Sequence, residues 1–165
     1  KQSHGVVRIR MSDASKSNPR RGPIIVSRHG RPALDRSAGP KLTWQEYRDW
    51  WDRYEAGSLA EDQTPPDKLK AVVADVALVL SSVRPRAKEP ANWATAGRQS
   101  EPHEVFNEAP LPPPRLRTGK SVYLAAHGWF NRMLRRPLKR LGWVCVYDGG
   151  DKYWSFRVYE YRGKS

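Results

Sequence analysis

Pro23-Ile24-Ile25-Val26-Ser27-Arg28-His29-Gly30-Arg31-Pro32 decides how the rest of the chain is read. Ile24 to Ser27 is β-branched, uncharged and bounded by Gly22-Pro23 in front and Gly30 behind, the pattern of a short buried strand. Such a strand delivers the next few residues to the C-terminal edge of a sheet, where open α/β sheets keep their sites. Those residues are Arg28, His29 and Gly30. Arginine offers a fixed donor fork for a phosphate or carboxylate. A neighbouring cation holds a histidine neutral, with a nucleophilic ring nitrogen near neutral pH. Glycine lets the chain turn tightly and a substrate come close.

Two further apolar runs repeat the arrangement. Val122-Tyr123-Leu124-Ala125-Ala126 ends in His127-Gly128, and Val76-Ala77-Leu78-Val79-Leu80 ends in Ser81-Ser82 with Arg84 and Arg86 beyond. Three strand-like runs thus terminate in residues suited to an oxyanion, and two of them in His-Gly.

Together these motifs resemble the histidine phosphatase superfamily, the group of cofactor-dependent phosphoglycerate mutases and many phosphomonoesterases. Ser27-Arg28-His29-Gly30 looks like its signature. Ser81-Ser82-Val83-Arg84-Pro85-Arg86-Ala87-Lys88-Glu89-Pro90-Ala91 is similar to its second motif, with Arg86 rather than Arg84 in place of the family arginine. Ala126-His127-Gly128 resembles the late histidine motif. The resemblance spans Pro23 to Leu141. Pro90 departs from it where threonine is frequent, and so does Trp129, where smaller residues are common. Asp35 falls near a position where some members contact phosphate through asparagine; a carboxylate there would repel the substrate.

A chain of 165 residues suits one domain with a modest core. No apolar run approaches the roughly 20 residues of a membrane span. Lys1 to Gly22 is polar and basic without an apolar centre, unlike a leader peptide. The single cysteine, Cys145, excludes an internal disulfide and fits a reducing compartment, so a cytoplasmic location is expected. It lies in an apolar strand-like run and reads as buried core rather than as a nucleophile. The net charge of +13 is uneven: residues 1–36 carry nine basic and two acidic side chains, 37–114 nine and twelve, 115–165 twelve and three. The excess belongs to the two ends, which also hold both His-Gly motifs.

Residues 1–22 read as a basic, mobile arm with a short edge strand at Val6 to Ile9 and an inert His4; residues 23–165 form the domain. Leu34 to Lys41 is a loop. Thr43-Trp44-Gln45-Glu46 is a capping box. Trp44, Tyr47, Trp50 or Trp51, and Tyr54 come next at helical spacing, predicting a helix that packs an aromatic face on the sheet, with a base-stacking surface as the lesser reading. Asp67 to Ala74 predicts one or two helical turns. Arg84 to Arg98 predicts a helix with Pro85 in its first turn, and Arg98 to His103 a loop. Val105-Phe106 predicts a brief strand, and Leu111 to Pro114 an extended segment. Phe130, Met133, Leu134, Leu138 and Leu141 form the apolar stripe of a later helix whose other face carries Arg132, Arg135, Arg136, Lys139 and Arg140. The end reads as a hairpin, Trp143 to Tyr147 and Tyr153 to Tyr161, turning at Asp148-Gly149-Gly150-Asp151. The expected architecture is an α/β three-layer sandwich, a mostly parallel mixed sheet flanked by helices and closed by this C-terminal β-hairpin.

A phosphomonoester dianion needs donors around three oxygens, an in-line nucleophile and an acid behind the leaving group. Arg28, Arg86 and a donating His127 can supply the first, with Ser82 beside them, and His29 the nucleophile, through a phosphohistidine that water hydrolyses. The resemblance implies that the acid is a carboxylate between the second motif and the late histidine. Glu101, Glu104 and Glu108 are the candidates. Glu108, ending the Val105-Phe106 run before Ala109-Pro110-Leu111-Pro112, is chosen over Glu104, and the role demands a raised pKa. No metal ligand spacing is apparent among four His and one Cys, and neither metal nor cofactor is expected.

The short connections from Arg86 to Glu108 and on to His127 leave little room for a lid. An open pocket is therefore expected, favouring a phosphatase over a mutase. The expected substrate is a phosphorylated small molecule or a phosphoprotein. Trp129 either walls the pocket or packs on the sheet. Two rival classes are a catalytically inactive phosphate-binding protein on the same fold and a basic nucleic-acid-binding module. The second is disfavoured, because no recognisable nucleic-acid motif accompanies the charge.

Overall fold

The computed structural model describes residues 22–34, 43–107 and 121–163. The basic arm with its edge strand and His4, together with Asp35, Glu108 and the Leu111–Pro114 segment, lies outside these residues. Six strands build one sheet. They are β1 (Ile24–Arg28), β2 (Leu78–Ser81), β3 (Glu101–Pro102), β4 (Val122–Ala126), β5 (Trp143–Asp148) and β6 (Phe156–Tyr161), in the order β3-β2-β4-β1-β6-β5. The first four run parallel, while β6 is antiparallel to both β1 and β5, so the sheet is mixed as its patterning predicts. β2 begins two residues later than the apolar run suggests. β6 likewise starts only at Phe156, because residues 149–155 form a longer loop than the turn expected there.

Alternation along the central strands assigns side chains to two cores. Ile25, Val79, Tyr123, Ala125 and Val158 point to the face covered by α2 (Asp67–Val73) and α3 (Pro85–Ala94), through Leu69, Val73, Ala91 and Ala94. Ile24, Val26, Leu80, Val122, Leu124 and Ala126 point to the opposite face, covered by Phe130, Leu134 and Leu138 of α4 (Gly128–Arg140). A strand apolar on both faces is what a sheet between two helical layers requires. Pro85 opens α3 at a position where its missing N–H costs nothing. Pro90 and Pro137 sit inside α3 and α4 without ending either.

Four local expectations are corrected. Helix α1 (Trp44–Ala56) forms with its capping box intact, Glu46 N–H donating to Thr43 Oγ1 and Thr43 N–H to Glu46 Oε2. Yet it does not lay its aromatic face on the sheet. Tyr54 is its sole buried residue and Trp44 is 74 % exposed; the rings of Trp44, Tyr47, Trp50 and Tyr54 stack on one another along the helix, with centroids 5.2–6.1 Å apart. Cys145 is exposed rather than core, because β5 is the outer strand of the sheet and a register shift between Cys145 and Tyr147 interrupts its alternation. Val105-Phe106 belongs to a 3₁₀ turn (Glu104–Phe106), not a strand, and Phe106 is buried edge-on against Phe130, 5.8 Å between centroids. The loop expected after Arg98 contains the two-residue β3 instead.

Candidate active site

Parallel register assembles the site. Arg28 pairs with Ala126 across β1 and β4, and Ser81 with Ala125 across β2 and β4, so the residues just past each strand emerge side by side at one sheet edge. Backbone bonds hold them there: His29 N–H donates to Ala126 O at 3.1 Å and Ser82 N–H to Ala125 O at 3.4 Å. His29 and His127 meet with ring centroids 5.0 Å apart, edge to face at 68°. His127 Nε2 lies 3.1 Å from Ser82 Oγ. His29, Ser82 and His127 are therefore one cluster, drawn from segments distant in the chain, and the charges of Arg28 and Arg86 act on both rings.

Both imidazoles are nearly enclosed, 3 % exposed for His29 and 2 % for His127, in place of the open pocket expected. Burial is the largest influence on each. It lowers the pKa of His29 to about 4, aided by the Arg86 and Arg28 charges and opposed by the bond to Gly30. Burial, then the charges of His29, Arg86, Arg84 and Arg28, takes His127 lower still, to about 2. Both rings are thus neutral at physiological pH. Their tautomers are set by their partners. His29 Nδ1 is 2.6 Å from the Gly30 carbonyl, so Nδ1 carries the proton and Nε2 the lone pair. Ser82 donates its hydroxyl proton to Asn107 Oδ1, so it accepts from His127 Nε2–H.

Arg86, expected as the oxyanion ligand in preference to Arg84, is 1 % exposed. Its Nη1 donates to Tyr54 O at 2.6 Å, its Nη2 to Glu55 Oε1 at 2.5 Å, and its guanidinium lies over the Tyr54 ring at 4.4 Å. Glu55 also takes Arg84 at 2.5 Å, so one carboxylate compensates two arginines beside the imidazoles. The end of α1 thereby locks Arg86 while leaving its buried Nε–H without a protein acceptor. Arg28 Nε and Arg84 Nε are in the same condition, and the acceptors His127 Nδ1 and Asn131 Oδ1 likewise lack a donor. Buried polar atoms are ordinarily satisfied, so these unpaired guanidinium N–H groups beside the histidine pair are donors available to an anion.

Several participants were not legible in the sequence. Glu55 and Asn107 carry no motif, although Asn107 immediately precedes Glu108. Asn131 is buried one turn into α4, its N–H donating to His127 O at 2.9 Å. Gly128 is required by Arg28, since a Cβ there would come within 2.9 Å of Arg28 Nε. Glu101 and Glu104 are exposed, and Trp129 is 60 % exposed rather than packed on the sheet. Among the described residues, no three His, Cys, Asp or Glu side chains are grouped to hold a metal ion. Nor does any helix among them have the length and apolarity to cross a membrane.

No family model matches the chain, and no curated protein sequence matches it. Among solved structures it is similar to the crystal structure of the "putative phosphohistidine phosphatase SixA from Agrobacterium tumefaciens", at 14 % identity, a TM-score of 0.46, and coverage of 86 % of this chain and 95 % of that one.

Proposed function

We propose that the chain is a phosphomonoester hydrolase working through a phosphohistidine on His29. The observation that carries the reading is the pair of neutral, buried imidazoles 5.0 Å apart between two arginines with unpaired Nε–H groups. Arg28, Arg86 and, once protonated, the Nδ1–H of His127 bind the three phosphoryl oxygens, while Ser82 holds the His127 ring through Nε2. The His29 Nε2 lone pair attacks phosphorus in line with the ester oxygen, forming the N–P bond as the P–O bond breaks. Glu108 delivers a proton to the departing alkoxide; the contact from Ser82 to Asn107 supports this choice, because Asn107 is its chain neighbour. Water then attacks phosphorus, Glu108 takes its proton, and inorganic phosphate leaves with His29 restored. Bound dianion draws His127 toward its protonated, donating form, the charge that an empty site excludes. The substrate is a phosphorylated small molecule or phosphoprotein.

Trapping tests this directly. Wild type incubated with an aryl phosphate and quenched in alkali should retain an acid-labile phosphoryl group, and His29→Ala should lose both that group and turnover. Full activity in His29→Ala would end the assignment, and absence of turnover with retained phosphate binding in wild type would indicate a binding protein. Since the imidazoles are enclosed, hydrolysis is separated from phosphoryl transfer by the product: inorganic phosphate in one case, an isomeric ester in the other.

A further inference from the structure

Residues 149–155, between β5 and β6, do more than turn the chain. Arg28 Nη1 donates to the backbone carbonyl of Asp151 at 2.7 Å, and the Arg28 guanidinium lies over the Tyr153 ring at 4.2 Å. The same ring stands 5.9 Å from the His29 imidazole. Trp154 comes next with φ of +61°, a left-handed conformation that costs a tryptophan of order 1–3 kcal/mol and persists only when its surroundings hold it. Here they do. Trp154 N–H donates to His29 O at 3.4 Å and its Nε1–H to Gln63 Oε1 at 3.1 Å. Its indole fills the space above Gly30, where a Cβ would approach to 2.7 Å.

The loop is fixed from beneath. Arg157 of β6, buried and paired in register with Val26 of β1, reaches Asp148 at 2.8 Å and Asp151 at 2.7 Å. Arg132 and Arg135 of α4 approach the Asp151 carboxylate at 3.2 and 3.6 Å. Two aspartates and three arginines thus clamp the backbone carbonyl that Arg28 uses. With Nη1 bound and one face stacked, the Arg28 group that lacks a protein partner is Nε–H, at the edge nearest Gly128 and the start of α4.

We infer that the 149–155 loop is the second wall of the oxyanion site, and that Tyr153 and Asp151 are positioning residues that aim the Nε edge of Arg28 at the phosphoryl group. The inference rests on the phosphatase reading and deepens it, since nothing in the strand-end motifs calls for a tyrosine or a charge clamp. An arginine side chain is long and mobile, so one held at Nη1 and on one face binds an oxyanion without first being ordered. Removing the hold should weaken binding more than it slows chemistry.

The experiment is a KM-against-kcat comparison with an aryl phosphate, alongside calorimetric titration of inorganic phosphate, on wild type, Tyr153→Leu, Tyr153→Phe and Asp151→Asn. Tyr153→Leu should raise KM and the phosphate dissociation constant about 3- to 30-fold, the range of a cation–π contact, with kcat within about threefold. Tyr153→Phe should bring both back toward wild type, because the ring and not the hydroxyl faces Arg28. Asp151→Asn should move them in the same direction as Tyr153→Leu, since it keeps the carbonyl acceptor and loses the clamp. Thermal melts identify any variant that simply fails to fold, in which case the Leu and Phe pair decides. Equal phosphate affinity in Tyr153→Leu and wild type would overturn the inference and leave the phosphatase reading standing. A wild type that neither turns over aryl phosphate nor binds inorganic phosphate would remove both.

Discussion

The two walls of the pocket are made in opposite ways. One is a row of strand ends, β1, β2 and β4, whose parallel register sets His29, Ser82 and His127 side by side. The other is a loop between antiparallel strands, given shape by five ion-paired side chains and a tryptophan in an unfavourable backbone conformation. The first presents reactive and donor groups that are nearly all uncharged imidazole or locked guanidinium. The second presents a ring, a carbonyl and a charge network. On the proposed function the difference is one of division of labour: strand ends would fix where the bond changes occur, and the hairpin loop how an arginine meets its anion.

Substitutions can break that division. Outside the nucleophile itself, the largest effect should come from Arg86→Ala, which removes a strand-side donor and leaves Glu55 to Arg84 alone. A loss of one oxyanion donor costs about 3–4 kcal/mol, so kcat should fall roughly 100- to 1000-fold, measured with an aryl phosphate. If Arg84→Ala matches or exceeds that loss, the assignment of the two arginines must be exchanged. By contrast the hairpin variants at Tyr153 and Asp151 should change KM.

Acid separates the walls by a different route. The folded His29 and His127 have pKa values below those of the unfolded chain, so between about pH 6.5 and 4 the unfolded state binds protons that the native state refuses. Stability should therefore fall as pH falls through that window, by up to about 1.4 kcal/mol per unit for each imidazole. On the hairpin side, burial works to raise the pKa of Asp148 and Asp151, but hydrogen bonds and the arginine charges outweigh it and hold both low. Their contribution is present above the ordinary aspartate range and lost only as pH falls below it. Melting temperature against pH should show two limbs, and His127→Gln should reduce the slope of the upper one, leaving the share due to His29. A single limb, or one untouched by His127→Gln, would contradict the assignment of neutral rings.

The smallest effect belongs to α1, which contributes to the pocket only through its last turn. Trp44→Ala, at an exposed site, should change stability by no more than about 0.5 kcal/mol by urea titration and leave kcat unaltered. A larger cost would mean that the aromatic ladder is covered after all.

How much was legible depends on how far each determinant reaches. The strand runs and their His-Gly endings are local, so Ile24 to Gly30 and Val122 to Gly128 could be read directly, and parallel register then gave the shared site. Periodicity told that α4 has an apolar stripe, and Phe130, Leu134 and Leu138 are covered, although Met133 of that stripe is 38 % exposed. In α1 the same spacing told only where the aromatic residues lie: coverage depends on elements elsewhere, and Tyr54 alone is buried while Trp44 and Tyr47 are exposed. Cys145 failed for a related reason, since an apolar strand pattern does not disclose that the strand is outermost. Asp148-Gly149-Gly150-Asp151 was recognised as a turn, but no local signal links it to Arg28, which lies far away in sequence and meets it only because β6 pairs with β1.

That central placement of β1 has a dynamic corollary. With a hydrogen-bonded neighbour on either side, its amides, and those of β4, open only with the whole sheet and should be the last to take up deuterium, whereas those of the outermost β5 and β3 should exchange early. His29, the proposed nucleophile, thus follows the slowest-breathing part of the molecule, and its geometry should persist through fluctuations that fray both margins of the sheet.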